Sequence, residues 1–469
     1  QGDRPGGYLE SLSFNVPGRG DTDGGAVNDP GSSQVIGDNH GNTNTDIQIT
    51  GSRSSPAGLG DEQSIDIHFG KKEFICIPNI NTAVTYSNKV SVDYSANINP
   101  LGLPQGVKEE LARCIEEPVC CVYPDSQCRD LVKALADYHK VTQDWILCGD
   151  GAADLIFGLA FALKPKKALL LAPSFLEYEQ ALKAVDCDID LFYLKEENGY
   201  RLDVEELCKT LERANATYNT TAVGCSDQQK STSEANNGYD ILFLCNPNNP
   251  TGIAVKKEQV LKLAETCEKT NTFLVVDECF EEFLDEPEAY SIIPFLEKLS
   301  HVFVLKAFTK IYAMAGLRLG YALCSNEDVL TKICQVRQPW SVSGLAQRAG
   351  IAALKETEYV LKTRKLIHEQ REKMEAALTE LGYIVYPSQA NYIFFMEKTL
   401  EGATDSLYDR MLKQGVLIRS CSNYPGLDAS CYRICVKTEE ENREFLHKLS
   451  QCTVTKRTDI KCTDTKHTD

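Results

Sequence analysis

A few polar residues in this 469-residue chain stand where apolar sequence surrounds them, and their types suggest chemistry. Lys310 lies in LKAFTKIYAMAGLRLGY (305–321), a run that is otherwise almost entirely apolar or aromatic. A lysine that can be desolvated holds its proton less tightly and becomes a competent amine nucleophile, able to form a Schiff base with an aldehyde. Asp277 closes the apolar run FLVVD, where an unpartnered carboxylate is costly, so it should face a cation. Arg318, eight residues after Lys310, has the fork geometry that clamps a phosphate. GDGAADLI (149–156) follows the strand-like WILC and opens a helix. Its small residues let backbone N–H groups approach an anion, and the helix N-terminus adds partial positive charge. NPNNPTG (246–252) follows another strand-like run; taken alone, its Asn and Pro are ordinary turn formers.

These residues need elements to position them. Between residues 144 and 325, apolar runs such as ALLLAP, DIDLFYL, ILFLCNP, TFLVVDE, VFVLKAF and GYALCS alternate with helical stretches. Nearly continuous apolar strands separated by helices indicate a mostly parallel sheet covered on both faces. In such sheets ligands bind beyond the C-terminal ends of the strands, and that is where the unusual polar residues fall. Residues 341–381 read as one or two long helices, and YIVYPSQANYIFF and YRICVKT as strands of a smaller α+β domain. The expected division is 1–64 disordered or left from a fusion, 65–110 an N-terminal arm and part of the small domain, 111–330 the large domain, 331–452 the small domain, and 453–469 a disordered tail. A polar stretch at 214–240 is expected to be a surface-loop insertion.

Bulk properties exclude several classes. A formal net charge of −18 argues against a nucleic-acid partner, because phosphate binding needs clustered cations. No window approaches the ~20 apolar residues that span a bilayer, so no membrane partner is expected. Nineteen cysteines include no CxxC and few close pairs, which argues against a metal site. Those in apolar runs, such as Cys148 and Cys245, behave as small buried hydrophobes and fit a reducing cytosol. Two glycosylation sequons, at Asn215 and Asn219, are short enough to arise by chance, and no signal peptide is evident.

A Schiff-base lysine, an acid for a pyridine nitrogen, and a glycine-opened helix with an arginine for a phosphate are the contacts of pyridoxal 5′-phosphate. The order GDGAAD, NPNNPTG, VVDE, TK, GLRLG over roughly residues 66–452 resembles the fold-type I pyridoxal-phosphate enzymes, in their histidinol-phosphate aminotransferase-like branch. The resemblance implies an α/β fold with a mostly parallel seven-stranded sheet in the large domain and a smaller α+β domain. It makes Lys310 the Schiff-base lysine and Asp277 the partner of the pyridine nitrogen. Asn249 would bond the ring hydroxyl, and Phe175 would stack on the ring. Gly151, Ala152, Thr309 and Arg318 would surround the cofactor phosphate, with Tyr123 reaching that of a neighbouring subunit, which implies a homodimer with shared sites.

Within the branch, VDYSANINPLGLPQGV (92–107), IHFG (67–70) and LIRSCSNYPGL with YRICVKT (417–438) resemble the threonine-phosphate decarboxylases of cobalamin biosynthesis. Phe280 supports that sub-branch weakly. Arg433 is then the expected holder of the α-carboxylate, and His68, Asn97, Arg419 and Ser422 the expected grip on the substrate phosphate. Histidinol-phosphate aminotransferase, a serine-phosphate decarboxylase and a catalytically silent binding protein stay open as alternatives. The chain departs from the family pattern with Ala307 in place of a serine, Asp150 in place of an asparagine, and the insertion at 214–240.

Overall fold

The computed structural model describes residues 90–222, 238–398 and 405–452. His68 and the segments 1–64 and 453–469 lie outside them. Thirteen strands are described. They are β1 (Val92–Asp93), β2 (Ile146–Gly149), β3 (Lys167–Ala172), β4 (Asp188–Tyr193), β5 (Ile241–Cys245), β6 (Phe273–Asp277) and β7 (Val302–Ala307), followed by β8 (Gly320–Leu323), β9 (Ile384–Tyr386), β10 (Tyr392–Met396), β11 (Val416–Leu417), β12 (Arg419–Ser420) and β13 (Cys431–Cys435).

Seven of them form one sheet in the order β2-β8-β7-β6-β5-β3-β4. Every neighbouring pair from β7 through β4 is parallel, and β8 alone runs against its neighbours. The expected seven-stranded, mostly parallel sheet is what the chain builds. Each residue of β5 and β7 is buried, which is why β5 reads as an unbroken apolar run and β7 as one broken only by Lys306. The C-terminal ends of β2, β5, β6 and β7 share one edge with the start of β8, because Gly149 and Ala307 both pair with Gly320.

The smaller antiparallel sheet has the order β12-β13-β10-β9. Arg419 on β12 stands opposite Arg433 on β13. YIVYPSQANYIFF supplies two strands, β9 and β10, separated by a turn. Two helices, Gly344–Ala353 and Thr357–Glu380, occupy the region expected to be helical. β1 pairs in parallel with β11, tying residues 92–93 to 416–417.

One expectation needs correction. The polar stretch from residue 214 begins as helix, since Val204–Ala222 is continuous. An established helix adds a hydrogen bond for each residue it orders, so polar residues of modest propensity can extend it. The far end also belongs to the fold: Tyr239 is buried and its hydroxyl donates to Asp190 at 2.8 Å.

Candidate active site

Where the sheet edge meets the small sheet, a cavity of about 360 Å³ collects residues from both. Lys310 follows β7 in the short helix Phe308–Ile311, and its ammonium lies 5.7 Å from the Phe280 ring centroid. Burial lowers its pKa, and Arg433 pushes the same way. A second lysine in the same run, Lys306, has the opposite environment. It sits on β7 with its side chain 2% exposed and its Nζ 2.7 Å from both Glu281 and Glu282. Burial opposes its charge, but the two carboxylates outweigh burial and hold its pKa well above the ordinary lysine value. Of the two, Lys310 is the one that lines the cavity and holds its proton less tightly than an ordinary lysine.

Asp277 ends β6 and faces the cavity. Its Oδ2 accepts a 2.6 Å hydrogen bond from the buried Tyr178 hydroxyl, and its Oδ1 accepts from the Cys279 N–H at 3.0 Å. Asn249 is buried in the turn after β5, and its Oδ1 accepts from Arg433. Arg433 also donates to the Ser95 carbonyl at 2.7 Å, and its Nε is buried without a partner among the described residues. Arg419 donates to Asn423 at 3.0 Å and lies 5.2 Å from the Tyr424 ring centroid. Asn97 is 3% exposed, and its Oδ1 has no hydrogen-bond partner among the described residues. An orphaned buried oxygen at a cavity wall is a group prepared for a ligand.

The helix Gly151–Leu163 opens at the same edge, and Ala152 and Ala153 line the cavity. Gly151 has φ +73°, and a Cβ there would lie 2.4 Å from an Arg318 nitrogen. Gly320 is as constrained: its Cβ would lie 2.6 Å from the Ala152 nitrogen. Glycine at both positions lets the backbone and Arg318 converge into a cradle for an anion. Thr309 and Ala307 complete that wall. Asp150, which stands where the family pattern has an asparagine, pairs with Arg318 at 3.5 Å.

The cavity thus brings together Asn97, Ala152, Phe175, Asn249, Asp277, Thr309, Lys310, Arg318, Arg419 and Arg433, while Gly151 stands against Arg318. Two expected residues are not on the wall. Ser422 is exposed and its hydroxyl meets that of Ser420 at 3.2 Å. Tyr123 is 82% exposed and packs on Trp340, with ring centroids 4.9 Å apart. Sequence reasoning missed Glu177, whose carboxylate lines the cavity. Burial raises its pKa, while Lys310, Arg419 and Arg433 pull it back. The signal was its place two residues after Phe175. Tyr178 was also missed, since a tyrosine on a helix of mixed polar and apolar residues reads as core.

These residues fit a group bearing an aldehyde, a ring nitrogen and a phosphate: amine, carboxylate and anion cradle converge on one space. The fold and this site define a pyridoxal-phosphate enzyme. The chain belongs to the aminotransferase class I and II family, whose profile matches residues 89–449. It is 36% identical over 365 residues to the threonine-phosphate decarboxylase of Salmonella typhimurium, covering 76% of this chain and 90% of that protein. The crystal structure of the histidinol-phosphate aminotransferase from Clostridium acetobutylicum superposes with a TM-score of 0.67 at 30% identity, covering 77% of this chain and 99% of that one. The L-threonine-O-3-phosphate decarboxylase structure from Porphyromonas gingivalis, at 23% identity and TM-score 0.62 over 77% and 99%, shares the fold.

Proposed function

We infer that the chain decarboxylates L-threonine O-3-phosphate with pyridoxal 5′-phosphate, giving (R)-1-amino-2-propanol O-2-phosphate and CO2 as a step of cobalamin biosynthesis. The observation that carries this reading is the pairing of Arg419 with Arg433 across β12 and β13, both facing the Lys310 cavity. A substrate with a carboxylate at one end and a phosphate at the other needs two such cations, since planar guanidinium groups match both anions.

The bound cofactor would supply an electron sink for the substrate's α-carbon. Lys310, Asp277 and Asn249 would hold it, with Gly151, Ala152, Thr309 and Arg318 around its phosphate and Phe175 against its ring. What this chain then decides is which bond to the α-carbon breaks. Arg433 is anchored by Asn249 and Ser95, so it offers the α-carboxylate a fixed orientation rather than a mobile charge. Arg419 and Asn97 would receive the substrate phosphate. Lys310, with its proton affinity lowered by burial, would move the proton that must reach the α-carbon once CO2 has left.

A homodimer in the cytosol fits the same reading. Val122, Tyr123 and Trp340 present apolar side chains 61%, 82% and 49% exposed, an arrangement a second copy would cover. Among the described residues no helix is long and apolar enough to cross a membrane.

The test is CO2 release from L-threonine O-3-phosphate by cofactor-loaded protein with no 2-oxo acid present. Release stoichiometric with aminopropanol phosphate supports the reading, and L-serine O-phosphate is the comparison substrate. Absence of CO2, together with amino transfer from histidinol phosphate to 2-oxoglutarate, would replace it with an aminotransferase.

A further inference from the structure

A second cavity, of about 430 Å³, lies beside β2 and shares no lining residue with the first. Three cysteines line it. Cys128 precedes the helix Arg129–His139, Cys148 is in β2, and Cys334 is in the helix Glu327–Val336. Cys128 and Cys148 are 4% and 5% exposed, whereas Cys334 is exposed. Cys128 is carried on ordered backbone: its N–H donates to the Asp125 carbonyl at 3.1 Å, and its carbonyl accepts from Val132 at 2.8 Å.

The same cavity contains a buried cation. The Arg337 side chain is 8% exposed, donates to the Cys148 carbonyl at 3.0 Å and to Ser341 at 2.9 Å, and pairs with Asp154. Its Nε has no partner among the described residues. The Cys148 thiol acts on Cys128 side chain to side chain and lowers its pKa, and Arg337 adds to that effect. Cys148 is itself pushed up, first by Cys128 and then by burial. One thiol disposed to ionise beside a second that keeps its proton, near a positive charge, is the arrangement of an oxidisable pair.

We propose that Cys128 and Cys148 are a modification site, a dithiol that hydrogen peroxide converts to a reversible intrachain disulfide. The Cys128 thiolate attacks one peroxide oxygen, breaking the O–O bond; Cys128 becomes a sulfenic acid and hydroxide leaves. The Cys148 thiol then attacks the Cys128 sulfur, forming the S–S bond and expelling the sulfenic oxygen as water. Two thiols are oxidised by two electrons, one peroxide is reduced, and two waters form. The low exposure of both sulfurs restricts the site to small oxidants. The site also lies directly behind the anion cradle, since Cys148 precedes Gly149–Gly151 and Asp154 accepts from the Asp150 N–H at 3.0 Å.

The experiment uses the full chain with the exposed Cys120, Cys121 and Cys334 each replaced by Ser. The protein is treated with hydrogen peroxide, alkylated, digested and analysed by mass spectrometry. The expected result is a linked Cys128–Cys148 peptide that dithiothreitol converts into two alkylatable peptides. In addition, Cys148→Ala should accumulate a Cys128 sulfenic acid that dimedone traps. Both cysteines remaining alkylatable after peroxide, or Cys128 oxidised to sulfinic acid with no linked peptide, would overturn the proposal. If Cys148→Ala fails to fold, the linkage result alone decides.

Discussion

Arg318 donates to the Asp150 carbonyl at 3.3 Å and stands 3.5 Å from its carboxylate, so one residue engages the arginine twice beside the anion cradle. The carboxylate competes with any phosphate that seeks the same guanidinium. Both side chains are about half exposed, which screens the pair and limits its worth to roughly 0–1 kcal/mol. Asp150→Asn should therefore tighten pyridoxal phosphate modestly, by about 2- to 5-fold in Kd. Titration of the cofactor-free protein, followed by absorbance, measures this. An unchanged or weaker affinity would mean that Asp150 does not oppose the phosphate.

The two lysines of the run 305–321 should respond oppositely to removal. Lys306→Met strands Glu281 and Glu282, both buried, and should cost about 3–5 kcal/mol of stability, seen as a large fall in Tm. Lys310→Met should abolish decarboxylation yet stabilise the cofactor-free protein near neutral pH. The sign follows from its depressed pKa. Between the lowered folded value and the unfolded value of about 10.4, the unfolded chain binds a proton that the folded chain does not, so wild-type stability rises with pH in that window. The advantage of Lys310→Met should shrink as pH climbs through it. A difference in Tm that is flat with pH would show that Lys310 carries no such penalty.

Arg433 joins Asn249 to the Ser95 carbonyl, so it orders the site as well as charging it. Arg433→Ala leaves buried polar groups without a donor and should cost about 2–5 kcal/mol in kcat/KM, about 30- to 5,000-fold. Arg433→Lys should recover little, because one ammonium cannot span both acceptors in the planar arrangement of a guanidinium. Steady-state kinetics on L-threonine O-3-phosphate checks both. Near-normal kcat/KM in the lysine variant would reduce Arg433 to a point charge.

Much of the fold was legible because β3, β5, β6 and β7 are apolar enough to announce themselves, and each candidate residue broke that pattern where a strand ended. Lys310 and Asp277 could be picked out on those grounds, whereas Asn249 lay in a run that read as ordinary turn chemistry and was singled out only by the family resemblance. Lys306 could not be told from Lys310 by its neighbours, since the carboxylates that tie it down come from residues 281 and 282. Glu177 sits in the first turn of the helix Glu177–Lys183, where an acidic residue is ordinary. Only the fold brings it to the same cavity as Arg419 and Arg433, more than 240 positions later. The helix through Ala222 was hidden because its last turns carry no apolar periodicity.

Tyr123 offers the sharpest test of shared active sites. It is not among the residues lining the cavity and packs instead on Trp340. In a symmetric dimer with shared sites, Lys310 of one copy would work with Tyr123 of the other. Lys310→Ala should be inactive, and Tyr123→Ala should bind cofactor weakly. When the two variants are unfolded and refolded together, mixed dimers contain one site with both residues intact. Activity of the mixture should then exceed the sum of the separately refolded variants, and sedimentation should give a dimer in each case. A mixture equal to that sum, with dimers still present, would place Tyr123 in the service of its own chain or of none.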